Sequence, residues 1–193
     1  FKDVRLMSDL LLKLEVDDHI YLAQPEMYMA EELYHVIQDN MTHLKPFLDF
    51  IDESVSIKDE ANYLRMMLRL QAEGKGRVFI IYYDDQLIGT VDIHNVNTHF
   101  QRAEVGYWIT QAFSGKNIIT RCLKVMCDFV FTYLNINKLM LFAEVDNTAS
   151  NKVATKAHFQ YVGQLREHLL THGHFKDANQ YELLKADYYK MTK

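Results

Sequence analysis

Between Ala103 and Val145 the spacing of apolar residues changes period twice. Ala103–Ile109 is a short apolar run, then Ile119, Leu123, Met126, Val130 and Tyr133 follow in steps of four, three, four and three, and Lys138–Val145 is again a short run. The middle segment carries the stripe of an amphipathic helix, and the flanking runs have the length and composition of buried strands. A strand–helix–strand unit joins its strands in parallel through a right-handed crossover. Any fold for this chain must hold that parallel pair.

The neighbouring segments are antiparallel in character. Val78–Tyr83 and Gln86–Ile93 are apolar runs joined by Asp84-Asp85, a hairpin signature, and a loop over His94–Arg102 leads into Ala103–Ile109. Upstream, short strands are expected at Leu10–Leu14 and Ile20–Ala23, and a helix over Glu26–Phe50 with a break near His43–Pro46. A second helix covers 57–73, with Ala61, Leu64, Met67 and Leu68 on one face and Gly74-Lys75-Gly76 as its stop. After the crossover, Ser150–Ala157 reads as a short helix, and Gln160–Leu165 and Gln180–Leu184 as closing strands. The fold class is therefore α+β, with a mixed, mostly antiparallel sheet flanked by helices.

Composition limits the function classes. A chain of 193 residues, 49% hydrophobic with only 2 prolines and 7 glycines, is expected to be one domain over 1–193, with no weight on residues 1–8. No apolar stretch approaches the ~18 residues of a membrane span, and no leader pattern opens the chain, so a cytoplasmic protein without membrane contact is expected. The net charge of −5 disfavours a nucleic-acid partner. Cys122 and Cys127 lie five apart on the helix, point in different directions and read as buried filler. His168, His172 and His174 cluster without a carboxylate or cysteine to complete a metal site, so none is expected. Ser114-Gly115-Lys116 looks like the end of a P-loop, but Thr110 and Asn117 stand where that motif needs Gly and Ser or Thr.

Four segments in register carry a resemblance: Ala103-Glu104-Val105-Gly106-Tyr107-Trp108-Ile109, Ser114-Gly115-Lys116-Asn117-Ile118-Ile119-Thr120, Asp146-Asn147-Thr148-Ala149-Ser150-Asn151-Lys152-Val153, and Phe175-Lys176-Asp177 followed by Tyr181. Together they resemble the GNAT acetyltransferase superfamily and, within it, the RimJ/RimL type that acetylates ribosomal-protein N-termini. The resemblance implies acetyl transfer from acetyl-coenzyme A to a primary amine, most naturally a protein N-terminal amine, by direct attack in a ternary complex. Its alternatives are a catalytically weakened coenzyme A-binding regulatory module and a small-molecule (polyamine or amino-sugar) acetyltransferase. It also implies a homodimer.

The resemblance assigns roles residue by residue. The coenzyme pyrophosphate is expected on Ser114, Gly115, Lys116, Asn117, Ile118, Ile119 and Thr120, where a helix start offers unpaired N–H groups and a positive dipole end. Asn117, where glycine is usual, and Ile119 depart from the family loop; asparagine tolerates positive φ better than most residues. Glu104 is the implied general base. A backbone N–H of Trp108, Ile109 or Thr110 is expected to face the acetyl oxygen. Asn147 and Asn151 are expected on the pantetheine arm. Many family members place an acidic tyrosine where this chain has Ala154, and glycine where it has His158; the RimL-like subgroup lacks that tyrosine too, and its implied acid is a serine that matches Ser150. Asn147 or Thr148 can equally serve as a helix cap. Acceptor choice is expected from the two N-terminal helices and from His43–Phe50 and His94–Arg102.

Overall fold

The computed structural model describes residues 12–52 and 55–192. Its strands are β1 (Lys13–Glu15), β2 (Ile20–Ala23), β3 (Arg77–Tyr83), β4 (Gln86–Asn97), β5 (Arg102–Ile109), β6 (Lys138–Glu144), β7 (Gln160–Thr171) and β8 (His174–Leu184). The helices are α1 (Ala30–Asp39), α2 (Met41–Leu44), α3 (Ile57–Ala72), α4 (Ile118–Tyr133), α5 (Thr148–Lys156) and α6 (Lys185–Met191). All eight strands join one sheet in the order β1-β2-β3-β4-β5-β6-β8-β7. Among the described residues β5 and β6 are the parallel pair, and the other neighbours run antiparallel.

The period-two alternation of the central strands divides the core. Val91, Ile93, Ala103 and Val105 face α4, which meets them with Ile119, Cys122, Leu123, Met126 and Val130. Eight residues of α4 are buried, and at roughly 1.5–3 kcal/mol per large side chain this stripe outweighs its modest helix propensity. The opposite face, with Ile80, Tyr82 and Trp108, is covered by Leu33 and Ile37 of α1 and Leu64 of α3. Cys122 and Cys127 are buried, free thiols, and burial pushes both pKa values up.

One feature of the sheet makes room for a site. The parallel pairing runs only from Arg102↔Lys138 to Glu104↔Met140. Beyond it β5 stays with β4 as far as Gly89↔Ile109, while β6 stays with β8. A gap opens between them.

The structure corrects several expected boundaries. β4 continues to Asn97, so His94 lies on a strand and not in a loop. β7 and β8 are longer than expected because His172 (φ 47°) and Gly173 (φ 77°) form a two-residue left-handed turn that matches strand twist. This places His168 within a strand. The expected 26–50 helix breaks earlier, at Asn40, whose side chain donates back to Val36 O at 2.9 Å. Tyr133, read as part of the α4 stripe, is 74% exposed. Leu10 and Leu11 of the expected first strand lie outside the described residues, as do residues 1–8. The helix α6 was not expected; its Tyr188 packs on Phe131 with ring centroids 5.5 Å apart. Among the described residues no helix is long and apolar enough to cross a membrane.

Candidate active site

A cavity of about 830 Å³ occupies the gap between β5 and β6. One end is formed by Ser114, Gly115 and Asn117–Thr120 before and at the start of α4, and the other by Glu104, His94 and the segment His43–Leu48. Phe142 and Glu144 of β6, Asn147 and Ser150 of α5, and His168 of β7 complete the walls. The β7–β8 turn closes over this second end: His172 N donates to Asp49 Oδ1 at 2.6 Å, and His172 Nε2 lies 2.8 Å from Lys45 O.

The α4 end has the chemistry of an anion cradle. Gly115 (φ 75°) and Asn117 (φ 61°) both take the left-handed conformation, which turns the chain into the helix. Nothing lies within 4 Å of where a Gly115 Cβ would be, so φ and not crowding is what suits glycine there. The helix has no side-chain cap bond at Asn117, which leaves its first N–H groups to a ligand. Ile118 and Ile119 are buried against the core and also line the cavity. Thr120 Oγ1 is buried without a partner although its residue lines the cavity. An unpaired buried hydroxyl costs ~1–3 kcal/mol, and a phosphate oxygen would satisfy it. These residues fit coenzyme A. Lys116 is turned aside, its Nζ 5.1 Å from the Phe113 ring centroid.

At α5 two readings of the same segment separate. Asn147 is the helix cap: its Oδ1 accepts from Ser150 N at 3.0 Å. Ser150 does no capping with its hydroxyl, which lies 2.9 Å from Tyr107 OH. Burial pushes the Tyr107 pKa up to about 12, and its hydrogen bond with Ser150 offsets only part of that. Asn151 does not reach the cavity. Its Nδ2 donates to Glu144 O at 2.9 Å and Asn147 O at 2.8 Å, and its Oδ1 accepts from Asn179 Nδ2 and Tyr181 OH, each at 2.8 Å. That amide has no valence left for a pantetheine arm. Ala154 is fully buried.

On β5, Trp108 and Ile109 line the cavity, whereas Thr110 does not, and its N–H is already donated to Ile88 O at 2.8 Å. Glu104 faces the cavity beside His94 on β4, with His94 Nε2 3.4 Å from Glu104 Oε2. Hydrogen bonding from His94 holds the Glu104 carboxyl below its usual range, against the opposing effect of burial. The ring's other nitrogen, Nδ1, is 2.7 Å from Asp92 Oδ1. Glu144 is buried and accepts from Thr171 Oγ1 at 2.8 Å.

Tyr107 and Glu144 line the site without a role expected from the sequence, and His94 enters those expectations only as the first residue of the acceptor segment His94–Arg102. Tyr107 lies in the β5 segment that carries the resemblance without a role of its own, and the spacing places His94 in a loop. The alternation Asp92-x-His94 opposite Glu104-x-Gly106 is the signal that could have found the latter. No group of three or more His, Cys, Asp or Glu side chains among the described residues is arranged to hold a metal ion. Asp92 and Glu104 sit at opposite nitrogens of one ring and do not converge.

The sequence profile described as "Acetyltransferase (GNAT) domain" matches residues 19–160. YdaF of Bacillus subtilis (strain 168), provisionally named a ribosomal N-acetyltransferase, is 30% identical over 175 residues, covering 90% of this chain and 96% of that protein. A spermidine N(1)-acetyltransferase of Escherichia coli (strain K12) is 29% identical over 102 residues, covering 53% of this chain and 55% of that protein. Among solved structures, RimL, a ribosomal L7/L12 α-N-protein acetyltransferase in complex with coenzyme A, superposes with a TM-score of 0.85 at 21% identity, covering 89% of this chain and 97% of that one.

Proposed function

We propose that this chain, which belongs to the acetyltransferase (GNAT) family and is an acetyl-coenzyme A-dependent N-acetyltransferase, acts on the α-amine of a protein N-terminus. The observation that carries the reading is the single cavity joining the α4 cradle to the Glu104 carboxylate through the gap between the parallel strands. A donor entering at one end and an amine at the other meet within it. The choice of a protein N-terminus over a polyamine rests on extent: the ribosomal-type relative matches 90% of this chain, the spermidine enzyme 53%. An acceptor of this kind also supports a cytoplasmic location.

Acetyl-coenzyme A supplies the acetyl group as an activated thioester. The chain's residues have three tasks around it. Glu104, ionised and facing the cavity, accepts the amine proton directly or through water. The N–H of Ile109 would serve the acetyl oxygen: Thr110 bonds back to β4, and backbone direction alternates along a strand, so Ile109 turns to the opened side. Ser150, bonded to Tyr107, donates to the departing sulfur. Thiol release measured over a panel of N-terminal peptides, spermidine and an amino sugar tests the acceptor. Peptides should give the highest kcat/KM; a polyamine preference of tenfold or more would overturn the reading.

A further inference from the structure

The strongest unassigned arrangement in the molecule lies behind Glu104. In the β4–β5 ladder Asp92 is opposite Gly106 and His94 opposite Glu104. Strand alternation puts all four on the sheet face away from α4, since Val91, Ile93 and Val105 between them belong to the α4 core. Asp92 Oδ1 accepts from His94 Nδ1 at 2.7 Å, and His94 Nε2 reaches Glu104 at 3.4 Å. His94 and Glu104 line the cavity, while Asp92 stands one step back from it. Gly106 explains how Asp92 fits: a Cβ there would lie 2.7 Å from Asp92 Oδ2 and 3.3 Å from Oδ1. The carboxylate is seated on a bare α-carbon, and a Cβ at 106 would force it to shift.

We propose that His94, anchored by Asp92 in the seat left by Gly106, is a positioning residue that fixes the Glu104 carboxylate toward the acceptor amine. The inference rests on Glu104 as the proton acceptor. It adds that the base is not one side chain but the end of a three-group chain spanning two strands.

The electrostatics agree with the geometry. Burial alone would depress the His94 pKa, but the hydrogen bonds and charges of Asp92 and Glu104 outweigh it and raise it to about 10. The ring is therefore an imidazolium at neutral pH, donating from Nδ1 to Asp92 and presenting Nε2 as an ion-pair partner to Glu104. Its neighbours on other elements do not cancel this. Tyr63 of α3, whose pKa is pushed up by burial and by Asp92, stays neutral; His168 of β7 acts on Glu104 in the same direction as His94, as does a hydrogen bond from Asn95. Two carboxylates around one cation leave a net negative charge at the acceptor end, suited to an incoming ammonium. A Glu104 held below its usual range stays ionised while that ammonium binds, and passes a captured proton on to water without storing it.

Nuclear magnetic resonance reads the chain of groups directly. In the wild-type protein the ¹⁵N signals of His94 should remain those of a doubly protonated ring above pH 8. Asp92→Asn should bring its titration down toward the ordinary value of about 6.5. The ¹³C carboxyl signal of Glu104 should titrate at higher pH in His94→Gln than in wild type. Asp92→Asn, nearly isosteric, should also lower kcat/KM for the amine by about tenfold or more, the scale of one lost charge-assisted hydrogen bond, with KM for acetyl-coenzyme A within twofold. A wild-type His94 that titrates near 6.5, or a Glu104 signal unmoved by His94→Gln, would overturn the proposal. Full activity in Glu104→Gln would instead remove Glu104 as proton acceptor, a failure separate from the state of His94.

Discussion

Replacing Ser150 with alanine separates the proposed chemistry from architecture, because the helix cap and the hydroxyl proposed to act on the sulfur are different atoms. The cap of α5 uses the Ser150 backbone N–H and the Asn147 side chain, and both survive the change. Only the hydroxyl is lost, and with it the 2.9 Å contact to Tyr107 OH, leaving that phenol a longer 3.4 Å contact to Ser150 O. One neutral hydrogen bond contributes ~0.5–1.5 kcal/mol, which at ~2–4 °C per kcal/mol for a domain of this size lowers the melting temperature by about 1–6 °C. A hydroxyl donating to a sulfur that gains negative charge contributes more, ~1.5–3 kcal/mol, or roughly 10- to 150-fold in turnover. Thiol release at saturating substrates, calorimetry with coenzyme A and a melting curve should therefore show a large fall in kcat, unchanged affinity and a small loss of stability. Tyr107→Phe should cost less, and the double variant should be no worse than Ser150→Ala, since both act through one hydroxyl. Turnover within twofold of wild type in Ser150→Ala, or losses that multiply in the double variant, would refute the assignment.

Two further substitutions test the division between ligand-binding and structural polar groups. Thr120→Val should leave the free protein at least as stable, because Oγ1 has no partner to lose, while coenzyme A affinity by calorimetry falls about tenfold or more. Asn151→Ala should do the reverse: its four shorter hydrogen bonds at ~1 kcal/mol each predict a melting point lower by ~8–16 °C, with coenzyme A affinity of the folded protein within twofold.

The parts of the fold that the sequence made legible are those written in local burial periodicity. The switch from run to helical stripe and back located α4 and required the parallel pair, because each pattern follows from which side chains face the core. Reading failed where the pattern itself is interrupted. Asn95 takes φ 48°, and the β4–β5 register shifts between His94 and Asn97, so the alternation that marks a strand ends at His94 although the strand goes on. The outer hairpin is mostly exposed along β7, and a strand that buries neither face leaves no apolar signature.

The site was legible to a different depth, and its departures from the family pattern show why. Asn117 and His158 each stand where the resemblance expects glycine, and both adopt left-handed backbone, at φ 61° and 64°. Glycine is favoured at such places for its φ, not for its lack of a side chain, and Asn and His are among the residues that reach that region at lowest cost. The loop before α4 and the end of α5 thus keep their shape without the expected residue, and motif spelling understates how intact they are. Gly106 is the opposite case. It is kept not for a left-handed φ but for the space that Asp92 fills, and that requirement appears only when β4 and β5 lie side by side. A glycine held for its φ declares itself in its own loop. A glycine held as a seat can be understood only with the residue that sits on it, and Asp92 meets Gly106 only across the β4–β5 ladder.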